Sequence, residues 1–64
     1  MIQGENMSLH DQIVEQYETY LKEAETFDGK GVKAAATRAR KALGELGKLS
    51  KSRRAEIQDK KNNM

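Results

Sequence analysis

Basic side chains recur at helical spacing between residues 30 and 53, where Glu45 is the only acidic residue. On a helical wheel centred on Lys41, Lys48 falls within about 20° and Arg38 within about 80°. The basic side chains would therefore form a ridge about 30 Å long on one side of a helix. The candidate phosphate-binding residues on this ridge are Lys30, Lys33, Arg38, Lys41, Lys48 and Lys51.

A cationic ridge suits a nucleic-acid backbone, because each phosphate that it neutralises releases condensed counterions. The sequence has only two tyrosines and one phenylalanine, so no aromatic platform for stacking single-stranded bases is expected. Any binding is therefore predicted to ignore base sequence and to weaken with salt. The simpler alternative is a solvated helix face with no ligand.

Charge is divided unevenly along the chain. Residues 1–28 carry seven acidic residues and one basic residue, net −6, and residues 29–64 carry eleven basic and three acidic residues, net +8. Neutralisation within one hairpin is not expected, because Glu15 and Glu23 are predicted to lie opposite the apolar seam of their own helix. Only flanking residues such as Glu18 or Glu25 would then reach Arg38, and the basic side would stay free.

Other kinds of chemistry find little support. There is no cysteine and one histidine, so we expect no metal site and no cofactor, and His10 is predicted to be a capping or partly buried residue. The carboxylates have no nearby nucleophile in the predicted helices, so no catalytic residue is assigned and an enzyme is not expected. No apolar run approaches a membrane span, and we expect a cytoplasmic protein located at the nucleoid.

The first predicted helix spans residues 8–28 and follows a flexible N-terminus, residues 1–7. Ser8 is placed to cap the helix, with Asp11 three residues later. A heptad seam then runs from Ile13 to Phe27. The Gly29-Lys30-Gly31 segment lacks the spacing of a phosphate-binding loop, so residues 28–31 are predicted to form a turn, with Gly29 or Gly31 as the left-handed cap.

The second predicted helix spans residues 32–59 and is followed by a frayed basic tail, residues 60–64. The fold class is therefore all-α, an antiparallel two-helix hairpin. The exposed apolar residues, such as Val14, Leu21, Leu43 and Leu46, exceed what one hairpin can cover, so two hairpins are expected to pair into a four-helix bundle. The predicted oligomer interface comprises Ile13, Tyr17, Tyr20, Ala24, Phe27, Ala35, Ala39, Leu43, Leu46 and Leu49.

The segment GVKAAATRARKALGELGKLSKSRRAEI, residues 31–57, resembles the core of the bacterial linker-histone-like proteins of the chlamydial type. That family typically reads Gly-Asn-Lys-Ala-Ala-x-Thr-Arg-Ala-Arg-Lys and continues into a lysine- and alanine-rich tail, so this sequence resembles a short form without the tail. The resemblance implies a nucleoid protein that binds and compacts double-stranded DNA. Carried over by position, the DNA contacts would be Lys33, Arg38, Arg40, Lys41, Lys48 and Arg53.

The sequence therefore predicts a homodimeric, histone-like protein that binds duplex DNA without sequence preference, using the ridge together with Arg40 and Arg53. The alternative is a structural module, such as a phage assembly protein, in which acidic and basic helix faces of different copies cover each other and no nucleic acid binds. A basic amphipathic helix on a membrane surface is a weaker hypothesis, because the second helix has an alanine-rich apolar stripe.

Overall fold

The computed structural model describes residues 7–64, and two helices account for nearly all of them. Helix α1 is Leu9–Lys30 and helix α2 is Lys33–Asn62. The two helices are joined by two residues and pack against each other as a hairpin, with no strand among residues 7–64. The all-α helical hairpin predicted from the sequence is confirmed.

The start of α1 is fixed by the predicted cap. Ser8 has extended backbone angles, and its side-chain oxygen accepts a hydrogen bond of 3.1 Å from the backbone N–H of Asp11. The predicted flexible N-terminus lies outside the described residues except for Met7. The carbonyl oxygen of Met7 accepts a hydrogen bond of 3.2 Å from the Gln12 side chain.

The break between the helices is shorter than predicted. Helix α1 continues through Asp28 and Gly29 to Lys30, and only Gly31 adopts a left-handed conformation, with φ of 68°. The Gly31 N–H donates to the Phe27 carbonyl oxygen at 2.8 Å, which closes the last turn. One positive-φ glycine is enough to end the helix, so Gly29 stays helical and the predicted turn at residues 28–31 contracts to Gly31 and Val32.

Helix α2 extends beyond residue 59, where the sequence predicted a frayed tail. The Asn63 side chain donates to the Asp59 carbonyl oxygen at 2.9 Å, and the Gln58 side chain donates to Asn62 at 3.2 Å. Lys60 and Lys61 lie in the last turn, where positive charge interacts favourably with the helix dipole. These local interactions keep residues 60–62 helical.

The contact between the helices is made around small side chains. Among residues 7–64 only Ala35, Ala39 and Ala42 are buried, and no residue of α1 is buried. Because alanine projects little from the helix, the α1 backbone can lie close to α2. The covered part of α2 ends at Arg53, since every residue from 54 onward is exposed.

The seam of α1 is shifted from the predicted one. Tyr17 and Phe27 were expected in the contact, but they are 52% and 42% exposed. Gln16 is instead partly buried and the Glu23 side chain is largely covered, on the same side of α1 as Tyr20. Because the alanine surface of α2 is shallow, the polar residues Gln16 and Glu23 can pack against it together with Tyr20. Some of the large apolar side chains of α1 are therefore left on the outside of the hairpin.

The two glycines of the break should respond in opposite ways to alanine. Gly31→Ala should lower the free energy of unfolding by about 1–2 kcal/mol, because a Cβ disfavours the left-handed conformation. Gly29→Ala, the matched control, should raise it by about 0.4–1 kcal/mol, because Gly29 is helical and has open space around it. Urea unfolding followed by circular dichroism measures both variants at equal protein concentration. Equal effects at the two positions would contradict the assignment of Gly31 as the cap.

Candidate nucleic-acid interface

Helix α2 supplies the scaffold on which most of the predicted phosphate-binding residues are arranged. Five of these residues are exposed and fall within an arc of about 100° on the helical wheel. Four of the five form no ion pair within residues 7–64, and the fifth, Lys48, forms only a long one. They extend along about 27 Å of the helix axis. We call this surface the basic edge, and its residues are Lys33, Arg40, Lys41, Lys48 and Lys51.

Lys48 keeps its place on the basic edge despite an ion pair. Its Nζ lies 3.9 Å from a carboxylate oxygen of Glu45, three residues earlier, and its side chain is 79% exposed. Exposed pairs of this kind contribute little, roughly 0.3–0.5 kcal/mol. The Lys48 ammonium can therefore exchange Glu45 for another anion at small cost.

Lys30 does not belong to the surface on which the sequence placed it. The wheel that aligned Lys30 with Lys41 assumed one continuous helix, but Lys30 is the last residue of α1, and Gly31 and Val32 separate it from α2. Its exposed side chain is therefore positioned by the C-terminus of α1 and not by the periodicity of α2.

Arg38 has an acidic partner that the sequence did not predict. Its Nε lies 2.9 Å from a carboxylate oxygen of Glu23, whose side chain is only 13% exposed, whereas that of Arg38 is 53% exposed. Glu23 was expected to point away from α2, and that expectation is wrong because the seam of α1 is shifted toward Glu23. The pair joins the two helices and neutralises a largely covered carboxylate.

Arg53 is also engaged within the chain. One guanidinium nitrogen of Arg53 lies 2.6 Å from a carboxylate oxygen of Glu56, and the Arg53 side chain is 29% exposed. Arg53 is the last residue of α2 that is partly covered. It is therefore less accessible than the residues of the basic edge.

Acidic residues occupy the opposite edge of the hairpin. The outward side of α1 carries exposed carboxylates, with Lys22 as the one basic residue among them. We call this surface the acidic edge, and its residues are Asp11, Glu15, Glu18 and Glu25. The hairpin is therefore electrically two-sided, and a polyanion would approach it from the α2 side.

A third surface, the apolar face, contains several of the residues that the sequence placed in the predicted oligomer interface. A groove between the helices is lined by Tyr20, Ala24 and Phe27 of α1 and by Ala36, Ala39 and Leu43 of α2. Tyr17 and Leu21 lie on the same side of α1 as Ala24, since they precede it by seven and three residues. The signal in the sequence was the surplus of large apolar residues, including Leu21 and Leu43, which are 47% and 49% exposed.

Two other kinds of site find no support in the part of the chain that the structure describes. No group of three or more His, Cys, Asp or Glu side chains among residues 7–64 is placed to hold a metal ion. Neither α1 nor α2 combines the length and the apolar character needed to cross a membrane.

Comparison with known proteins assigns a family. A family model described as the histone H1-like protein Hc1 matches residues 7–63, which include both helices. No curated protein and no solved structure matches the chain. The resemblance seen in residues 31–57 is therefore confirmed and extends over the first helix. The chain belongs to the histone H1-like Hc1 family, and this membership points to a DNA-binding protein of the nucleoid.

Proposed function

We propose that this chain, as a homodimer, binds duplex DNA without sequence preference through the basic edge and compacts it as a nucleoid-associated protein. The observation that carries the proposal is the row of exposed cations along about 27 Å of α2, which faces away from the acidic residues of α1. Family membership supports DNA as the polyanion.

The chemistry of the basic edge favours phosphate contacts over base reading. Four of its five side chains have no acidic partner among residues 7–64, so their charges are available to DNA phosphates. The edge contains no aromatic side chain and no asparagine or glutamine that could read adenine. Affinity would therefore come from counterion release and be nearly independent of base sequence.

Arg38 and Arg53 take a different role in this proposal. Releasing Arg38 to a phosphate would leave the Glu23 carboxylate covered and unpaired, which costs free energy. Releasing Arg53 would break its contact with Glu56. Both residues are therefore proposed to hold the hairpin together, while the basic edge contacts DNA.

The competing hypothesis of an assembly module without nucleic acid is not favoured, because the family to which the chain belongs is histone-like. Proteins of such a family are typically not enzymes. The acidic edge has a simple part in the proposal: it is repelled by DNA and so orients the hairpin with α2 toward the duplex.

Salt dependence tests the basic edge directly. Binding to a random-sequence duplex should weaken between ~50 and ~200 mM salt, with a slope of log K against log salt of about −4 to −5 for each bound basic edge. Lys41→Gln should reduce the magnitude of the slope by about 0.9, because one phosphate contact is lost. Lys22→Gln on the acidic edge is the matched control and should leave the slope unchanged.

Two outcomes would contradict the proposal. One is the absence of any binding at ~50 mM salt, and the other is an equal loss of slope in both variants. Lys41→Glu combined with Lys48→Glu should abolish a gel shift and leave the helical circular dichroism intact. A change of oligomer mass in its place would support the assembly hypothesis.

The Glu23–Arg38 pair should affect stability more than DNA binding. Arg38→Gln should lower the free energy of unfolding by about 1 kcal/mol, since it leaves Glu23 without its partner. Adding Glu23→Gln should restore part of that loss, because the uncompensated charge is then removed as well. Urea unfolding measures stability, and the salt series measures binding. A loss of about 0.9 in the salt slope with unchanged stability would instead make Arg38 a phosphate contact.

A further inference from the structure

The two broad sides of the hairpin differ in character. One is the apolar face, and the other carries an open cleft of about 270 Å³ between the helices. This volume lies just below the range of pockets for drug-sized ligands, about 300–1,000 Å³, so the cleft suits a small polar group. We call it the polar cleft, and its lining residues are Gln16, Thr19, Arg38, Lys41, Ala42 and Glu45.

Gln16 and Thr19 line the α1 wall of the cleft with unused hydrogen-bonding groups. Two similar residues on the same side of α1 are satisfied within the chain. The Gln12 side chain donates to a backbone carbonyl oxygen at 3.2 Å, and the Thr26 hydroxyl donates to another at 3.1 Å. Neither Gln16 nor Thr19 forms a side-chain hydrogen bond within residues 7–64. The amide and the hydroxyl are therefore available to a ligand in the cleft.

This side of α1 also carries little free negative charge, although the helix is acidic as a whole. A row of residues at positions 12, 16, 19, 23 and 26 spans an arc of about 80° on the wheel. Four of the five are glutamine or threonine, and the fifth, Glu23, is paired with Arg38. An anion can therefore approach the cleft without meeting an unpaired carboxylate of this row.

Lys41 supplies a positive charge at the α2 wall of the cleft. It is exposed, forms no ion pair within residues 7–64, and is the residue of the basic edge that lines the cleft. Arg38 lines the cleft as well, but its Nε is held by Glu23 at 2.9 Å. An ammonium group on one wall and a hydroxyl and an amide on the other are donors suited to phosphate oxygens.

We propose that the polar cleft holds one phosphate of a bound duplex, with Lys41 supplying the charge and Gln16 and Thr19 supplying hydrogen bonds. The inference rests on the proposed function, and it extends the DNA contact from the basic edge of α2 onto α1. The phosphate comes from the DNA backbone, because Lys41 belongs to both surfaces. The contact on α1 ends at Thr19, since the exposed Glu15 one turn earlier belongs to the acidic edge.

Glu45 opposes the phosphate from within the cleft. Its side chain is 42% exposed, and one carboxylate oxygen lies 3.9 Å from the Nζ of Lys48, a residue of the basic edge. Glu45 therefore places a negative charge in the cleft and partly occupies a cation that DNA would use. It competes with phosphate from inside the chain and keeps the affinity for DNA below the value that the cations alone would give.

Two threonine variants test the hydrogen bonds. Thr19→Val should lower the affinity for a random-sequence duplex about three- to tenfold, because a hydrogen bond to a charged group is lost. The slope of log K against log salt should stay unchanged, because no cation is removed. Thr26→Val is the matched control, since its hydroxyl is bonded within α1, and it should leave the affinity unchanged. No effect of Thr19→Val, or equal effects of both variants, would overturn the proposal.

Two glutamate variants test the competitor. Glu45→Gln should tighten duplex binding about three- to tenfold, since it removes a carboxylate beside the phosphate and frees Lys48. Glu56→Gln is the matched control, because the Glu56 side chain is also 42% exposed and also pairs with a basic residue three positions away. It lies about 16 Å from Glu45 along the helix axis, beyond the Debye length of about 10 Å at 0.1 M salt. Glu56→Gln should therefore change the affinity less than about twofold. Unchanged or weaker binding by Glu45→Gln would overturn the role of Glu45.

Nuclear magnetic resonance distinguishes the DNA backbone from a free anion. The side-chain resonances of Gln16 and Thr19 should shift when duplex is added, and should not shift with inorganic phosphate at the same phosphate concentration. Equal shifts with inorganic phosphate would make the cleft a site for a free anion and would overturn the DNA contact. If the wild type binds no duplex, the proposed function and this inference both fail. Duplex binding that is insensitive to Thr19→Val refutes only the cleft.

Discussion

The close approach of α1 to an alanine stripe is the contact on which the rest of the hairpin depends. Ala35, Ala39 and Ala42 are the only buried residues in the part of the chain that the structure describes, and they let the helices approach without interlocking large side chains. Such a contact contributes little hydrophobic free energy, because each methyl group buries little area. It also discriminates weakly between alternative registers of the facing helix.

The weak preference for one register explains why Tyr17 and Phe27 are exposed and why Glu23 is covered. A deep, bulky seam would have required Tyr17 and Phe27 inside, but a shallow one accepts Gln16 and Glu23 beside Tyr20. Once Glu23 is largely covered, its charge needs compensation, and Arg38 supplies it across the contact at 2.9 Å. Arg38, which matches the family's DNA-binding segment by position, is thus paired with Glu23 inside the hairpin. The exposed cations without such a partner can bind other anions.

The sequence predicted the elements better than the surfaces. The Ser8 cap, the two helices and their hairpin follow from local rules about spacing and capping, which do not depend on the partner helix. Lys30 and Glu23 were misplaced because a wheel assumes an unbroken helix and a known seam direction. The rotation of α1 is set by side-chain volumes on both helices together, and a single periodic pattern does not contain that information. Residues of the apolar face, such as Leu43, were among those predicted for the oligomer interface, but the same list included Ala35, which the structure buries between the two helices.

The arrangement of α2 joins two requirements that usually compete for the same surface. Its apolar residues, such as Leu43, need cover, and its cations, such as Lys41 and Lys48, need access to phosphates. Their separation by about 140–160° around one helix lets a partner bury the first without desolvating the second. On dimerisation Arg40, which lines the apolar groove, would lose access to phosphates, whereas Lys41 and Lys48 on the far side would keep it. In the proposed homodimer, the same separation would leave these cations exposed on both hairpins, which suits the proposed binding through many weak phosphate contacts.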